Sequence, residues 1–139
     1  MSYTITVRVY QSKTDRFYNL VEKSVASGGT WSEVNGEHVL TMYTSGTCGT
    51  LRFKSDTGLN IVFAVGVHNY KRWCDIVGRL DNNASGTTIQ AEYYNSGGRA
   101  SQREKQTASH SGENENDGKV SIQYTVAEGN NLKAYILLA

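Results

Sequence analysis

The sequence predicts an all-β fold, a two-sheet sandwich, and three observations carry that prediction. Apolar residues recur at every second position in several separate stretches, which is the signature of half-buried strands. The links between those stretches have turn chemistry. Composition suits pleated surfaces, with nine Tyr and fourteen Gly but no Pro, since Tyr and β-branched side chains pack well on sheets and Gly supplies tight turns. The 139 residues fit one domain, 1–139, large enough to bury a core without staples.

Taken in chain order, Tyr3, Ile5, Val7 and Val9 share one face of an opening strand, with Thr4, Thr6 and Arg8 on the other. Asn35-Gly36 is a strong hairpin signal between Trp31–Val34 and Glu37–Tyr43. Further strands are predicted over Thr50–Lys54, Asn60–Val67 and Thr87–Tyr93, with Asp56-Thr-Gly58 turning the first into the second. Ile61-Val-Phe-Ala-Val65 is apolar on both faces, the pattern of a central strand covered on each side. Val120, Ile122, Tyr124 and Val126 alternate again, and Leu132, Ala134, Ile136 and Leu138 close the chain after the Glu128-Gly-Asn-Asn131 turn. Short strands at this spacing suit a sandwich.

Two segments break the alternation. In His68–Val77, Tyr70, Trp73, Ile76 and Val77 fall at helical spacing, predicting a short helix that Asn69 caps and Gly78 stops, with Tyr70, Trp73 and Cys74 as packing residues. From Asn95 to Gly118 the chain is polar and glycine-rich, a long connection with a short helix around Ala100 to Thr107; a connection of that length is functional or mobile.

Several functions are disfavoured. A net charge of +1, from 14 basic and 13 acidic residues, supplies no attraction for nucleic acid or anionic membranes. Hydrophobic content of 38% and a mean hydropathy of −0.48 describe a polar-surfaced protein, and no stretch approaches the roughly 18 apolar residues of a membrane span. The opening residues alternate as a strand rather than forming a signal peptide, so a cytoplasmic location is expected. Cys48 and Cys74 are then expected as free thiols, and the Asn83-Ala-Ser85 sequon matters only in a secretory setting.

The three histidines, His38, His68 and His110, accompany no nucleophile signature. Cys74 near His68 lacks a third orienting group, and a small buried thiol is its commoner role. Glu113-Asn-Glu-Asn-Asp-Gly118 begins like a calcium loop, but the twelfth position is Tyr124, which cannot supply the required carboxylate. Lys71-Arg72 between Tyr70 and Trp73 suits base stacking superficially, yet the charge balance favours a structural reading. Carbohydrate fits better, because neutral sugars need convergent Asp, Asn, Arg, Ser and main-chain groups with an aromatic plate. Such groups cluster at Ser45-Gly46, His68-Asn69, Asp75, Tyr93-Tyr94-Asn95 and Arg99.

The run Gly66-Val-His-Asn-Tyr-Lys-Arg-Trp-Cys-Asp-Ile-Val77 resembles the fungal fruit-body lectin family, to which the common mushroom lectin belongs. Thr4-Ile-Thr-Val-Arg-Val-Tyr-Gln11, Gly28-Gly-Thr-Trp31, Leu40-Thr-Met42, Ser45-Gly-Thr47, Leu51-Arg-Phe53, Glu92-Tyr-Tyr94, Arg103-Glu104 and the stretch Tyr124 to Ala134 resemble the family in the same order. The resemblance implies two antiparallel sheets joined by a short helix-loop-helix, an actinoporin-like fold. It implies a non-enzymatic lectin with no metal or other cofactor, dimeric or tetrameric, with glycans and glycoproteins as partners and a defence role. One site would take the Galβ1-3GalNAc core disaccharide of O-glycans and a second would take terminal N-acetylglucosamine (GlcNAc).

By this resemblance the galactose-type site comprises Ala26, Ser27, Gly28, Ser45, Gly46, His68, Asn69 and His110. The GlcNAc-type site comprises Asp75, Ile76, Val77 and Gly78 at the helix end, facing Tyr93, Tyr94 and Arg99, with Arg103 between the two groups. A competing structural account pairs Asp75 with Arg99 to hold the helix end. The chain departs from the family at four places: Gly78 stands for a threonine, His110 for a tyrosine, Tyr43-Thr44 for glycines, and about three residues are missing before Ala26. Losing the threonine hydroxyl removes a hydrogen bond worth on the order of 1 kcal/mol, and His110 adds pH sensitivity. The alternative function, an actinoporin-like membrane-binding or pore-forming protein, would need a detachable amphipathic N-terminal helix, whereas a strand is predicted from about Tyr3.

Overall fold

The computed structural model describes residues 2–138 except 13–16, 27, 82, 95–96 and 115–117, with backbone only at 79, 113, 114 and 118. Its elements are β1 (Tyr3–Gln11), β2 (Tyr18–Val25), β3 (Gly29–Val34), β4 (Glu37–Met42), β5 (Cys48–Ser55), β6 (Asn60–His68), β7 (Lys71–Leu80), α1 (Gly86–Ala91), α2 (Ala100–Glu104), β8 (Ser109–Asn114), β9 (Gly118–Val126) and β10 (Asn131–Leu138). They form a six-stranded sheet, β3-β4-β1-β10-β9-β8, and a four-stranded sheet, β2-β5-β6-β7. The segment holding α1 and α2 carries the chain from one sheet to the other, as the resemblance implies.

The alternating apolar residues face one another across the sandwich. Tyr3, Ile5, Val7, Ile122, Leu132 and Ile136 from the large sheet meet Leu51, Phe53, Ile61, Phe63 and Val65 from the small one. The other face of the small sheet is covered too: Val62, Ala64, Trp73 and Val77 pack against Ile89 and Tyr93 of the helical segment. Residues Ile61 to Val67 are therefore buried on both sides, as their continuous hydrophobicity predicts. The Asn35-Gly36 hairpin also forms, both residues having the positive φ (51° and 80°) of a primed turn.

Five sequence expectations are corrected. His68–Val77 is not a helix but the end of β6, a two-residue turn and the start of β7. Asn69 and Tyr70 both have positive φ, 50° and 67°, the geometry of a tight hairpin. The helical spacing is coincidental: Trp73 and Val77 face the helical segment, Ile76 faces the inter-sheet core, and Tyr70 is 77% exposed rather than packed. Thr87–Tyr93 is not a strand, because α1 and the turn that follows it bring Ile89 and Tyr93 into one buried cluster. Ser85 caps that helix, its side chain accepting from the Thr88 backbone N–H. The large sheet is not wholly antiparallel, since β1 runs parallel to β10; the first and last strands share no short connection that would oblige opposed directions. The segment Asn95 to Gly118 holds the expected short helix, α2, but also the strand β8, which the sequence reading did not predict. Val126 lies past a bulge at Lys133/Ala134 and is exposed.

Candidate functional site

Two crossings between the sheets, β2 to β3 and β4 to β5, and the β6–β7 hairpin turn of the small sheet bring the galactose-type candidates together at one end of the sandwich. Ala26, at the end of β2, donates its backbone N–H to Cys48 O at 2.8 Å, and the Gly28 carbonyl accepts from Tyr43 N at 3.2 Å. The Gly46 N–H donates to Val67 O at 2.7 Å, and Ser45 Oγ accepts from Tyr70 N at 3.0 Å, tying the β4–β5 loop to the β6–β7 turn. Gly28 and Gly46 have φ of 91° and 96°, conformations open to glycine and costly for other residues. His68 is half-buried, its carbonyl accepting from Gln106 Nε2, and Asn69 is exposed in the turn. Ser27 lies outside the described residues. Tyr43 (69% exposed) and Tyr70 stand on the same loops, two aromatic plates that the sequence reading assigned to a departure and to packing.

The GlcNAc-type candidates gather on the outer face of β7, in mid-strand rather than at a helix end. Asp75 points from the same face as Trp73 and Val77 and is only 5% exposed. Its Oδ2 accepts a hydrogen bond from the Tyr93 hydroxyl at 2.7 Å. Tyr93 is fully buried, with its ring 4.8 Å from that of Trp73. Burial, reinforced by the Asp75 charge, pushes the Tyr93 hydroxyl far above the ordinary tyrosine range, so it remains a donor at any working pH. Tyr93 and Val77 are thus supports, closed to solvent. Ile76 points the other way, and Gly78 sits at an irregularity in the β6–β7 pairing.

Two assignments change. Arg99 does not pair with Asp75; its Nε bonds Glu92 Oε1 at 2.9 Å and its backbone N–H bonds Glu92 O. Gly97 makes this doubling-back possible, for a Cβ there would lie 2.4 Å from Glu92 O. His110 belongs beside Asp75 rather than with the loop group, its Nε2 3.7 Å from Asp75 Oδ1. The reason is the strand β8, in whose polar sequence Ser-His-Ser-Gly-Glu-Asn no strand is legible; it pairs with β9 and sets His110 opposite Ile122, facing inward.

The two groups share a border. The Tyr94 hydroxyl donates to Gly46 O at 3.0 Å, while the Arg103 guanidinium lies 5.1 Å from the Tyr94 ring centroid, within cation–π range. Burial raises the Tyr94 hydroxyl, with Cys48 adding to it. Residues outside the sequence reading complete the frame: Gln106 reaches His68, and Thr107 Oγ1 donates to Cys74 O at 3.1 Å. Their one hint was the polar stretch after α2. Cys48 and Cys74 are free and buried, as expected, and burial pushes each thiol up to about 11. Among the described residues no three His, Cys, Asp or Glu side chains come together as a metal-holding group. The Glu113–Gly118 run lies partly outside the described residues.

Comparison with known proteins gives consistent results. A family model described as fungal fruit body lectin matches residues 1–136. The chain is 50% identical to Boletus edulis lectin over 143 residues, covering 100% of both chains. It superposes on the wild-type Xerocomus chrysenteron lectin with a TM-score of 0.97 and 53% identity, covering 100% of each, and on a mutated form with 0.98 and 52%, covering 100% of this chain and 99% of that one. The lipid binding protein Nakanori shares the fold at a TM-score of 0.67 and 11% identity, over 99% of this chain and 71% of that chain. That last likeness concerns architecture alone.

Proposed function

The chain belongs to the fungal fruit body lectin family and is a carbohydrate-binding lectin, and on that premise we propose that it recognises two kinds of glycan without a metal. The loop group of Ala26, Gly28, Ser45, Gly46, His68 and Asn69 takes Galβ1-3GalNAc-type core disaccharides. The group around Asp75, with His110, Tyr94, Arg99 and Arg103, takes terminal GlcNAc.

The observation that supports this reading best is the state of Asp75. A buried carboxylate ordinarily collects several donors, yet among the described residues this one accepts a single hydrogen bond, from Tyr93. Its second oxygen is available to a ligand hydroxyl. Charge-assisted bonds of that kind are the strong ones in sugar recognition. The loop group offers a different surface, main-chain groups and an exposed Asn69 flanked by Tyr43 and Tyr70, suited to a disaccharide with one apolar face.

A glycan array with and without chelator tests the proposal. Binding to β-galactosyl and GlcNAc glycans, unaffected by chelator, is expected; silence on both, or loss with chelator, refutes it. Asp75→Ala should abolish GlcNAc binding while galactose-type binding is retained. Equal loss of both in a folded variant would show the division of sites to be wrong. A dimeric or tetrameric assembly, which would make the lectin multivalent, and a role in defence are part of the same proposal. Light scattering on the purified protein tests the assembly.

A further inference from the structure

We propose that His110 is a protonation-dependent positioning residue for Asp75. When neutral it leaves Oδ1 free for a sugar hydroxyl, and when charged it captures that oxygen. The inference rests on the Asp75 group being the GlcNAc-type site, and it makes that site, not the galactose-type one, responsive to pH.

The geometry is poised between the two states. His110 Nε2 stands 3.7 Å from Asp75 Oδ1, too far for a hydrogen bond but well inside the range where a charged imidazole is attracted to a carboxylate. Closing to a charge-assisted bond needs a shift of only about 1 Å. The other oxygen, Oδ2, already accepts from the buried Tyr93 hydroxyl, which leaves Oδ1 as the oxygen with no hydrogen bond among the described residues. Asp75 is nearly closed to solvent while the His110 side chain is 34% exposed, so the imidazole is the member of the pair in contact with water. Capture of Oδ1 then removes the acceptor that the ligand needs.

Among the described residues, the other ionisable groups nearby, Tyr93 apart, are placed away from this pair. On β7, the Arg72 guanidinium donates to Gln106 O and Cys74 lies on the inner face against Thr107. On β9, Tyr124 donates its hydroxyl to Trp73 O, and Lys119 stands in register with Glu113. In the helical segment Arg99 pairs with Glu92, Arg103 lies over Tyr94, and the Tyr93 and Tyr94 hydroxyls are bonded to Asp75 and Gly46. Among the described residues, Asp75 is the ion-pair partner of His110. Because the ligand competes with the protonated imidazole for one oxygen, acid weakens binding.

The test is calorimetric titration of the full chain with N-acetylglucosamine at about pH 8 and about pH 5.5, which brackets the range where an imidazole changes charge. Loss of one hydrogen bond to a charged group predicts roughly tenfold weaker binding at the lower pH. His110→Tyr and His110→Gln should each reduce that change to about twofold or less. A galactosyl disaccharide, titrated in parallel, reports that each sample is folded. Wild-type affinity that is flat or rises toward acid overturns the role of His110, as does a variant that keeps the full drop. GlcNAc binding absent at both pH values, with galactosyl binding intact, would instead refute the assignment of the Asp75 group itself, and this inference with it.

Discussion

Removing the Tyr93 hydroxyl isolates the contact on which the Asp75 group is built. Tyr93→Phe keeps the ring, its burial and its stacking on Trp73, and deletes only the 2.7 Å hydrogen bond to Asp75 Oδ2. That oxygen belongs to a carboxylate 5% exposed, so water cannot easily replace the lost donor. A hydrogen bond to a charged group contributes about 1.5–3 kcal/mol, and leaving a buried charge unsatisfied tends to the upper end. Urea unfolding at neutral pH should therefore show a loss of about 2–3 kcal/mol with an unchanged m-value. In an Asp75→Asn background the same substitution should cost only about 1 kcal/mol, since a neutral amide loses less. The resulting coupling of about 1–2 kcal/mol identifies the hydroxyl–carboxylate pair itself. A loss below about 0.5 kcal/mol, or strictly additive effects in the cycle, would refute the argument that Tyr93 holds this charge in place.

Three further outcomes follow from the packing. Gly66→Ala should destabilise by about 1–3 kcal/mol in thermal or urea unfolding, because its Cβ would lie 2.6 Å from Cys48 Cβ and 2.8 Å from Thr47 O; tolerance of the change would mean that β5 and β6 can part there. Glu22 carries α1: its carboxylate accepts from Gly86 N at 2.8 Å and Arg52 Nε at 2.6 Å. Burial works to raise this carboxyl, but those bonds outweigh it and hold it below its ordinary 4.5. Its contribution is thus present above that value and lost as pH falls below it. Glu22→Gln should cost about 1–2 kcal/mol near neutrality and flatten the acid limb of the stability curve. The Cys48 and Cys74 thiols, raised by burial from 9.0 to about 11, favour folding below pH 9 and cease to do so as pH rises toward 11. A decline on the order of 2–3 kcal/mol per thiol is expected there, smaller after Cys→Ala replacement, and neither thiol of the native protein should react with iodoacetamide at pH 8.

Much of this fold is legible where one physical rule acts alone. Alternation marks β1, β9 and β10 because each has one face on the core, and an apolar run marks β6 because both of its faces are covered. Asn35-Gly36 names its own turn. Legibility fails where a neighbour overrides local pattern. Strand β2 is hidden by the irregularity between Leu20 and Glu22, which shifts its inward face midway. Strand β8 has no strand propensity and exists because β9 offers it a ladder. Thr87–Tyr93 has the β-branched content of a strand, yet the Ser85 cap and the burial of Ile89 and Tyr93 make it helical.

The same division runs through the candidate site. Residue types sufficient for sugar recognition, and the family resemblance they carry, were present in one dimension, as were the buried thiols and the two-faced central strand. Which groups meet was decided only in three dimensions. Spacing of three and four suggested a helix for Tyr70, Trp73 and Val77, but the positive φ of Asn69 and Tyr70 folds that run into a hairpin and sends successive side chains to opposite faces. Asp75 thereby turns from a helix terminus into a buried mid-strand carboxylate. It meets Tyr93 because α1 packs across the sheet, and His110 because an edge strand thirty-five positions later in sequence lies beside β7. Side-chain chemistry is a property of each residue, whereas a shared proton or hydroxyl requires distances that only the packed sheets impose.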